Sequence, residues 1–352
     1  MEPMTTDLAA LIARAEAGDI DATLRASAEL TRAGKHEQAL NYLIRASNGG
    51  HVVAQATLGL RMVTGRMAPL DPVKGIELIR ASAIAGNPEA LSYLSSLAAS
   101  GLFGPADWST ALMALARAAE RKLASAEAQL KVLHAAGLNT PGAIMDFVRA
   151  SNPRVISEAP RIVTLEGLLP HDFCAHWISH TAPKLSAAHV YDAEKGGRRT
   201  HGMRSNTGAG FSLLETDMVM HLCRARIASA IKRPVQFQEA PNVLHYAVGE
   251  TFSAHFDYLA PENPNFQQPL ATLGQRVCTA LVYLNDDFDA GETRFLELDR
   301  SIRCRTGGLL AFDNVDSQGA VDPKTLHEGT PPTRGEKWLL SVWVRDRPQP
   351  II

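Results

Sequence analysis

The 352-residue chain reads as a multidomain protein, an α-helical repeat array followed by an α+β domain in which helices back a β-sandwich or barrel. Three observations carry that expectation. The length exceeds the ~250–300 residues that one core usually organises. Residues 1–138 are rich in Ala and Leu at helical spacing. Beyond residue 160 the texture changes to short apolar runs bounded by Gly, Asn, Asp or Pro, as in a β-rich domain.

Composition narrows the class. With 45% hydrophobic and 20% charged residues and a net charge of -2, the chain is globular rather than disordered, and nothing in it supports a nucleic-acid or membrane partner. Cys174, Cys223, Cys278 and Cys304 form no CxxC pair, so buried free thiols are expected in place of a zinc ribbon or a disulfide framework. The start MEPMTTDLAA lacks a basic, apolar leader, and no run of ~18 apolar residues occurs. A cytoplasmic protein is expected.

The helical part repeats itself. LIRAS stands at Leu43–Ser47 and again at Leu78–Ser82, and LARAA follows at Leu115–Ala119, in steps of 35 and 37 residues. Gly18, Gly50 and Gly86 each precede an alanine four positions on, Ala22, Ala54 and Ala90, and Lys122 with Ala126 continues the register more weakly. A helix pair cannot bury its own apolar stripe, so small residues at the crossings let neighbouring pairs stack into a solenoid. These segments, with LGLRMVTG and DPVKGIELIRASAIAG, resemble Sel1-type repeats, relatives of the tetratricopeptide repeats.

Residues 139–160 hold three prolines and are read as a linker, with one last helix in AIMDFVRAS. A second domain is expected over 161–352. It opens with helices in PHDFCAHWISHTAPKL and LETDMVMHLCRARIASAI. His171, His176 and His180 on the first are expected to decorate a surface helix ahead of forming a second metal site. Strands are expected in VCTALVYLN, TRFLEL, GLLAFDN and KWLLSVWV.

The chemistry is sought in LHYAVGETFSAHFDYL. On a strand His255 and Asp257 share a face, with Phe256 turned to the opposite layer. Alone that pair is as readily a solvated strand face as a metal grip. His327, far downstream at a strand entry, offers a third ligand, and two histidines with one carboxylate are the set of non-haem Fe(II) oxygenases. Lys337 shares a strand face with Leu339, Ser341 and Trp343; it either snorkels at the strand end or is buried against an anion.

Taken in order, Tyr246-x-x-Gly249, His255-x-Asp257, QRVCTALVYLND, AGETRF, GGLLAFDN, His327 and GEKWLLSVWV resemble the prolyl 4-hydroxylase-like branch of the Fe(II)/2-oxoglutarate-dependent dioxygenases, over about residues 161–345. That resemblance implies a double-stranded β-helix, or jelly-roll, with Fe(II) as cofactor, 2-oxoglutarate and O2 as co-substrates and ascorbate as reductant. It makes His255, Asp257 and His327 the iron ligands and Lys337 the partner of the distal 2-oxoglutarate carboxylate. Tyr246 and Thr293 match positions that hydrogen-bond the co-substrate, and Phe252, Arg276 and Trp343 match the substrate cleft.

The implied reaction hydroxylates a C–H of a protein or peptide side chain, prolyl by resemblance, with decarboxylation of 2-oxoglutarate to succinate and CO2, and the repeats would dock the partner. Two departures stand out. Phe252 replaces a tyrosine common in the family, and Ala290 opens AGET where GGET is usual. The first leaves open a small-molecule substrate such as a free amino acid. A non-catalytic scaffold or oxygen sensor is a further alternative. The segments 192–211 and 260–275 are rich in Gly, Asn and Pro, as lids over an active site would be.

Overall fold

The computed structural model describes residues 6–187, 190–192, 197–199, 204–213 and 215–350. The chain divides into two compact units, the first ending at Lys131 and the second running Val132–Pro350. The first is helical: α1 (Thr6–Glu16), α2 (Ile20–Arg32), α3 (His36–Asn48), α4 (Val52–Thr64), α5 (Pro72–Ile84), α6 (Pro88–Ser100), α7 (Trp108–Glu120) and α8 (Ala124–Ala135), which runs past Lys131.

The repeat register has a local cause at each turn. Gly18, Gly50 and Gly86 follow α1, α3 and α5 with φ of 94°, 83° and 86°, and Lys122 takes the same place after α7 at 64°. This is the left-handed residue that ends a helix and favours glycine. The next residue starts a new helix, where Asp19, His51 and Asn87 accept from the backbone N–H of Ala22, Ala54 and Ala90. Those three alanines and Ala126 are fully buried at the crossings. At the α4–α5 crossing, a Cβ on Gly59 or Gly75 would lie 2.6 Å from the other residue's carbonyl oxygen. Only glycine permits that approach.

Beyond the end of α8 the second unit has α9 (Pro141–Val148) in the segment read as linker, and adds α10 (His171–Thr181) and α11 (Met218–Ile231). Its main antiparallel sheet runs β1 (Arg154–Glu158), β2 (Arg161–Leu165), β13 (Leu309–Asp313), β9 (Arg276–Tyr283), β16 (Lys337–Arg345), β7 (Asn242–Tyr246), β6 (Thr207–Gly210) and β3 (Ser186–Ala187). A smaller sheet runs β12 (Arg300–Ile302), β11 (Thr293–Phe295), β14 (His327–Gly329) and β8 (Phe252–His255). Two ribbons, β4 (Val190–Asp192) with β5 (Gly197–Arg199) and β10 (Asp289–Ala290) with β15 (Pro332–Arg334), complete it. Side chains of both sheets, among them Tyr246, Phe252, Leu281, Tyr283, Phe295 and Leu339, meet in one core.

A helical repeat region followed by an antiparallel jelly-roll domain is the architecture expected from sequence. The cysteines are free and buried, also as expected. No helix among the described residues is long and apolar enough to cross a membrane.

Three details differ. Segment 260–275 is folded rather than irregular: it contains α12 (Gln267–Leu273), and the Gln349 side chain donates to Leu273 O at 2.9 Å. Much of segment 192–211, the other expected lid, lies outside the described residues. Helix α10 is not a plain surface helix, because His176 is buried with its Nε2 2.7 Å from Asp217 Oδ2. That partner is 41 residues away, beyond the reach of helical periodicity.

Candidate metal centre

Strand register builds the site. His327 opens β14 and is the direct partner of His255, the last residue of β8, so the pairing of two short strands sets the imidazoles with centroids 4.3 Å apart. Asp257 stands just past the strand end rather than on it. Its Oδ1 is 3.7 Å from His255 Nε2 and its Oδ2 is 3.6 Å from His327 Nε2. One ligand atom from each residue lies within 4.8 Å of the others. Phe256, expected in the opposite layer, is instead 39% exposed, because the strand has ended before it.

Each ligand is oriented from behind. His255 Nδ1 donates to Ser253 O at 2.8 Å and His327 Nδ1 to Thr325 O at 2.9 Å. A carbonyl only accepts, so in each neutral ring the lone pair falls on Nε2, facing the centre. The Thr279 hydroxyl donates to Asp257 Oδ2 at 2.7 Å and accepts from Asn314 Nδ2 at 3.0 Å. Phe252 stacks on His255 at 3.5 Å and 14°, and the Arg204 guanidinium lies 4.1 Å over the other side of that system, on the Phe252 ring.

Burial, with His327 close by, pushes His255 down to about 3, so it is a neutral donor at pH 7. Burial works to raise the Asp257 carboxyl, yet His327, His255 and the Thr279 hydroxyl together hold it below its usual range. Two imidazoles and one carboxylate are the donor set a divalent ion of intermediate softness takes.

Lys337 lines the same cleft. It starts β16, paired with Tyr246, and is fully buried. Its Nζ lies 4.9 Å over the Tyr246 ring and 5.4 Å over the Tyr283 ring, without a hydrogen-bond partner among the described residues. Burial pushes its pKa down to about 7. A dry, unpaired ammonium calls for an anion in front of it.

The cleft is lined by the three ligand candidates and Lys337 together with Tyr246, Phe252, Thr293 and Trp343, so the fold gathers eight residues singled out from sequence. Arg276 is the exception. It sits behind the lining, 3.7 Å over the Trp343 ring, with Nε 2.7 Å from Glu239. Glu239 also pairs with Arg345, so the Arg276 charge is already met. Thr293 shares a 3.0 Å hydrogen bond with Tyr283, whose hydroxyl donates to Ile302 O.

Sequence reading missed Thr279, Asn314 and Tyr283. Thr279, Leu281 and Tyr283 alternate on β9, and that period-two pattern of a polar residue among apolar ones was a usable signal for the first. Asn314 carries no such signal, since only tertiary packing brings it here.

The family model for the 2OG-Fe(II) oxygenase superfamily matches residues 241–345. Prolyl 4-hydroxylase 5 of Arabidopsis thaliana is 32% identical over 208 residues, covering 54% of this chain and 69% of the relative. Among solved structures, the viral collagen prolyl hydroxylase of Paramecium Bursaria Chlorella virus-1, in its 2OG complex, is 21% identical and covers 52% of this chain and 94% of that one, with a TM-score of 0.40. A Sel1 repeat protein from Oxalobacter formigenes is 26% identical, covering 36% of this chain and 97% of that one, with a TM-score of 0.33.

Proposed function

The chain belongs to the prolyl 4-hydroxylase family of Fe(II)- and 2-oxoglutarate-dependent dioxygenases, and on that premise we propose that it hydroxylates a prolyl side chain of a protein or peptide, converting 2-oxoglutarate to succinate and CO2. Fe(II) is the family's cofactor, with 2-oxoglutarate and O2 as co-substrates; ascorbate keeps the iron reduced. The observation that carries the reading is Lys337, a fully buried ammonium without a hydrogen-bond partner among the described residues, lining the same cleft as His255, Asp257 and His327.

In this reading His255, Asp257 and His327 hold the iron, which supplies oxygen activation coupled to decarboxylation of the co-substrate. The chain's own residues do the rest. Lys337 pairs with the distal carboxylate of 2-oxoglutarate, fixing the co-substrate's length along the cleft. Tyr246 and Thr293 flank it as hydrogen-bond partners, Thr293 turning from Tyr283 to do so. Leu244, Leu281 and Leu339 keep the cleft dry, which protects reactive species from water. Trp343 Nε1, buried and unpartnered among the described residues, faces the substrate side with Phe252. Arg276 acts indirectly, holding the Trp343 ring in place. The helical repeats dock the protein that carries the proline.

The test supplies purified protein with Fe(II), ascorbate, 2-oxoglutarate and proline-containing peptides or host lysate, and reads succinate together with oxygen addition by mass spectrometry. Hydroxyproline that disappears with His255→Ala is the expected result. Succinate formed only with free amino acids would replace the protein substrate by a small molecule, and no 2-oxoglutarate binding at all would end the reading.

A further inference from the structure

A second set of metal-ligating side chains lies on the helical side of the same unit. Among the described residues two groups of three bring their ligand atoms within 4.8 Å of one another. One is the centre already described, and the other is His176, His180 and Asp217. His176 and His180 are one helical turn apart on α10, so both side chains leave the same face. Asp217 caps α11, its Oδ1 accepting from Met220 N at 2.9 Å while its Oδ2 meets His176 Nε2 at 2.7 Å.

We propose that His176, His180 and Asp217 form a second divalent-metal site, selective for zinc, that ties α10 to the start of α11. Three features of the cluster support it. His180 Nδ1 donates to His176 O at 2.8 Å, which in the neutral ring leaves the lone pair on Nε2, the orientation metal-bound histidines owe to a backbone partner. The rings of His176 and His180 lie with centroids 4.1 Å apart, close enough for one ion to be shared. His176 is only 6% exposed, so one ligand is rigid, whereas His180 is half-buried and can swing by its side-chain torsions.

A tetrahedral zinc with bonds of ~2.0–2.1 Å sets its ligands about 3.3 Å apart. His176 Nε2 and Asp217 Oδ2, now 2.7 Å apart, need to part only slightly. Two imidazoles and a carboxylate are borderline donors that favour zinc over calcium or magnesium, and water completes the shell.

Full-length protein, chelator-stripped and dialysed against zinc(II) or cobalt(II), provides the test. Two equivalents per chain are expected, with the visible bands of four-coordinate cobalt arising from the second site. His255→Ala should keep the second equivalent, and His180→Ala should lose it, with affinity down at least ~10-fold. His180→Cys should restore it with a new thiolate-to-cobalt absorption. The proposal is overturned if His180→Ala still holds two equivalents, or if His255→Ala holds none; the second result points to the primary centre alone, with His176 and Asp217 an ordinary ion pair. Because His255→Ala removes oxygenase chemistry, failure here leaves the proposed hydroxylation standing.

Discussion

At the residue scale Lys337 concentrates the cost and the use of the fold. Its pKa falls from 10.5 unfolded to about 7 folded, through burial. Between those values the unfolded chain holds a proton the folded one has released, so the stability of ligand-free protein rises with pH from about 7 to about 10.5; below 7 the charge is present in both states and the penalty is complete. Lys337→Met should therefore raise the melting temperature of ligand-free protein, by about 5 °C at pH 6, and flatten that pH dependence. It should also weaken 2-oxoglutarate at least ~30-fold. Calorimetry and titration check both, and a variant that melts like the parent at pH 6 or binds 2-oxoglutarate unchanged would rule out this role.

The residues around Lys337 show what could be read in advance. His255, Asp257, His327, Tyr246, Thr293 and Trp343 were readable because each belongs to a motif with fixed order and spacing, and all line one cleft. Arg276 belongs to a motif too, but its place is decided by Glu239, a residue outside it. The Arg204–Phe252–His255 stack was invisible for the same reason. It also changes the meaning of Phe252, which is a support for a ligand candidate as well as the residue that lacks the common hydroxyl.

At the scale of elements, the repeats rest on a glycine at each left-handed turn, and Lys122 breaks the series at φ 64°. Lys122→Gly should stabilise the helical unit by about 1 kcal/mol, by removing the strain of a side chain in that conformation. Gly50→Ala should cost about the same, since a Cβ there meets nothing within 4 Å and the effect lies in the backbone alone. Urea unfolding of both variants measures the pair, and equal midpoints would refute this account of the turns. The turn glycines and the buried alanines were visible as a period in the sequence. The Gly59–Gly75 contact was not, because helix crossing brings together residues that no repeat aligns.

For the whole molecule, the contact pattern predicts two separable transitions, one per compact unit. In calorimetry Mn(II) with 2-oxoglutarate at 100 times its Kd should stabilise only the oxygenase unit, by about 2.7 kcal/mol, while Gly50→Ala should lower only the other. A single transition that moves as one under both changes would show that the units unfold together.

The sequence by itself determined the two-part architecture, the repeat period, the class of chemistry and most of the cleft. Hydrophobic period, glycine at strained turns and ligand spacing within a motif are local properties, written within a few residues of one another. Tertiary structure alone decided the pairing of His327 with His255, the burial of Lys337 without a hydrogen-bond partner among the described residues, the Glu239 clamp on Arg276 and the meeting of Asp217 with His176. Each joins segments that only strand register or helix packing brings together, and such contacts are set by the packing of the whole core rather than by any one stretch of chain.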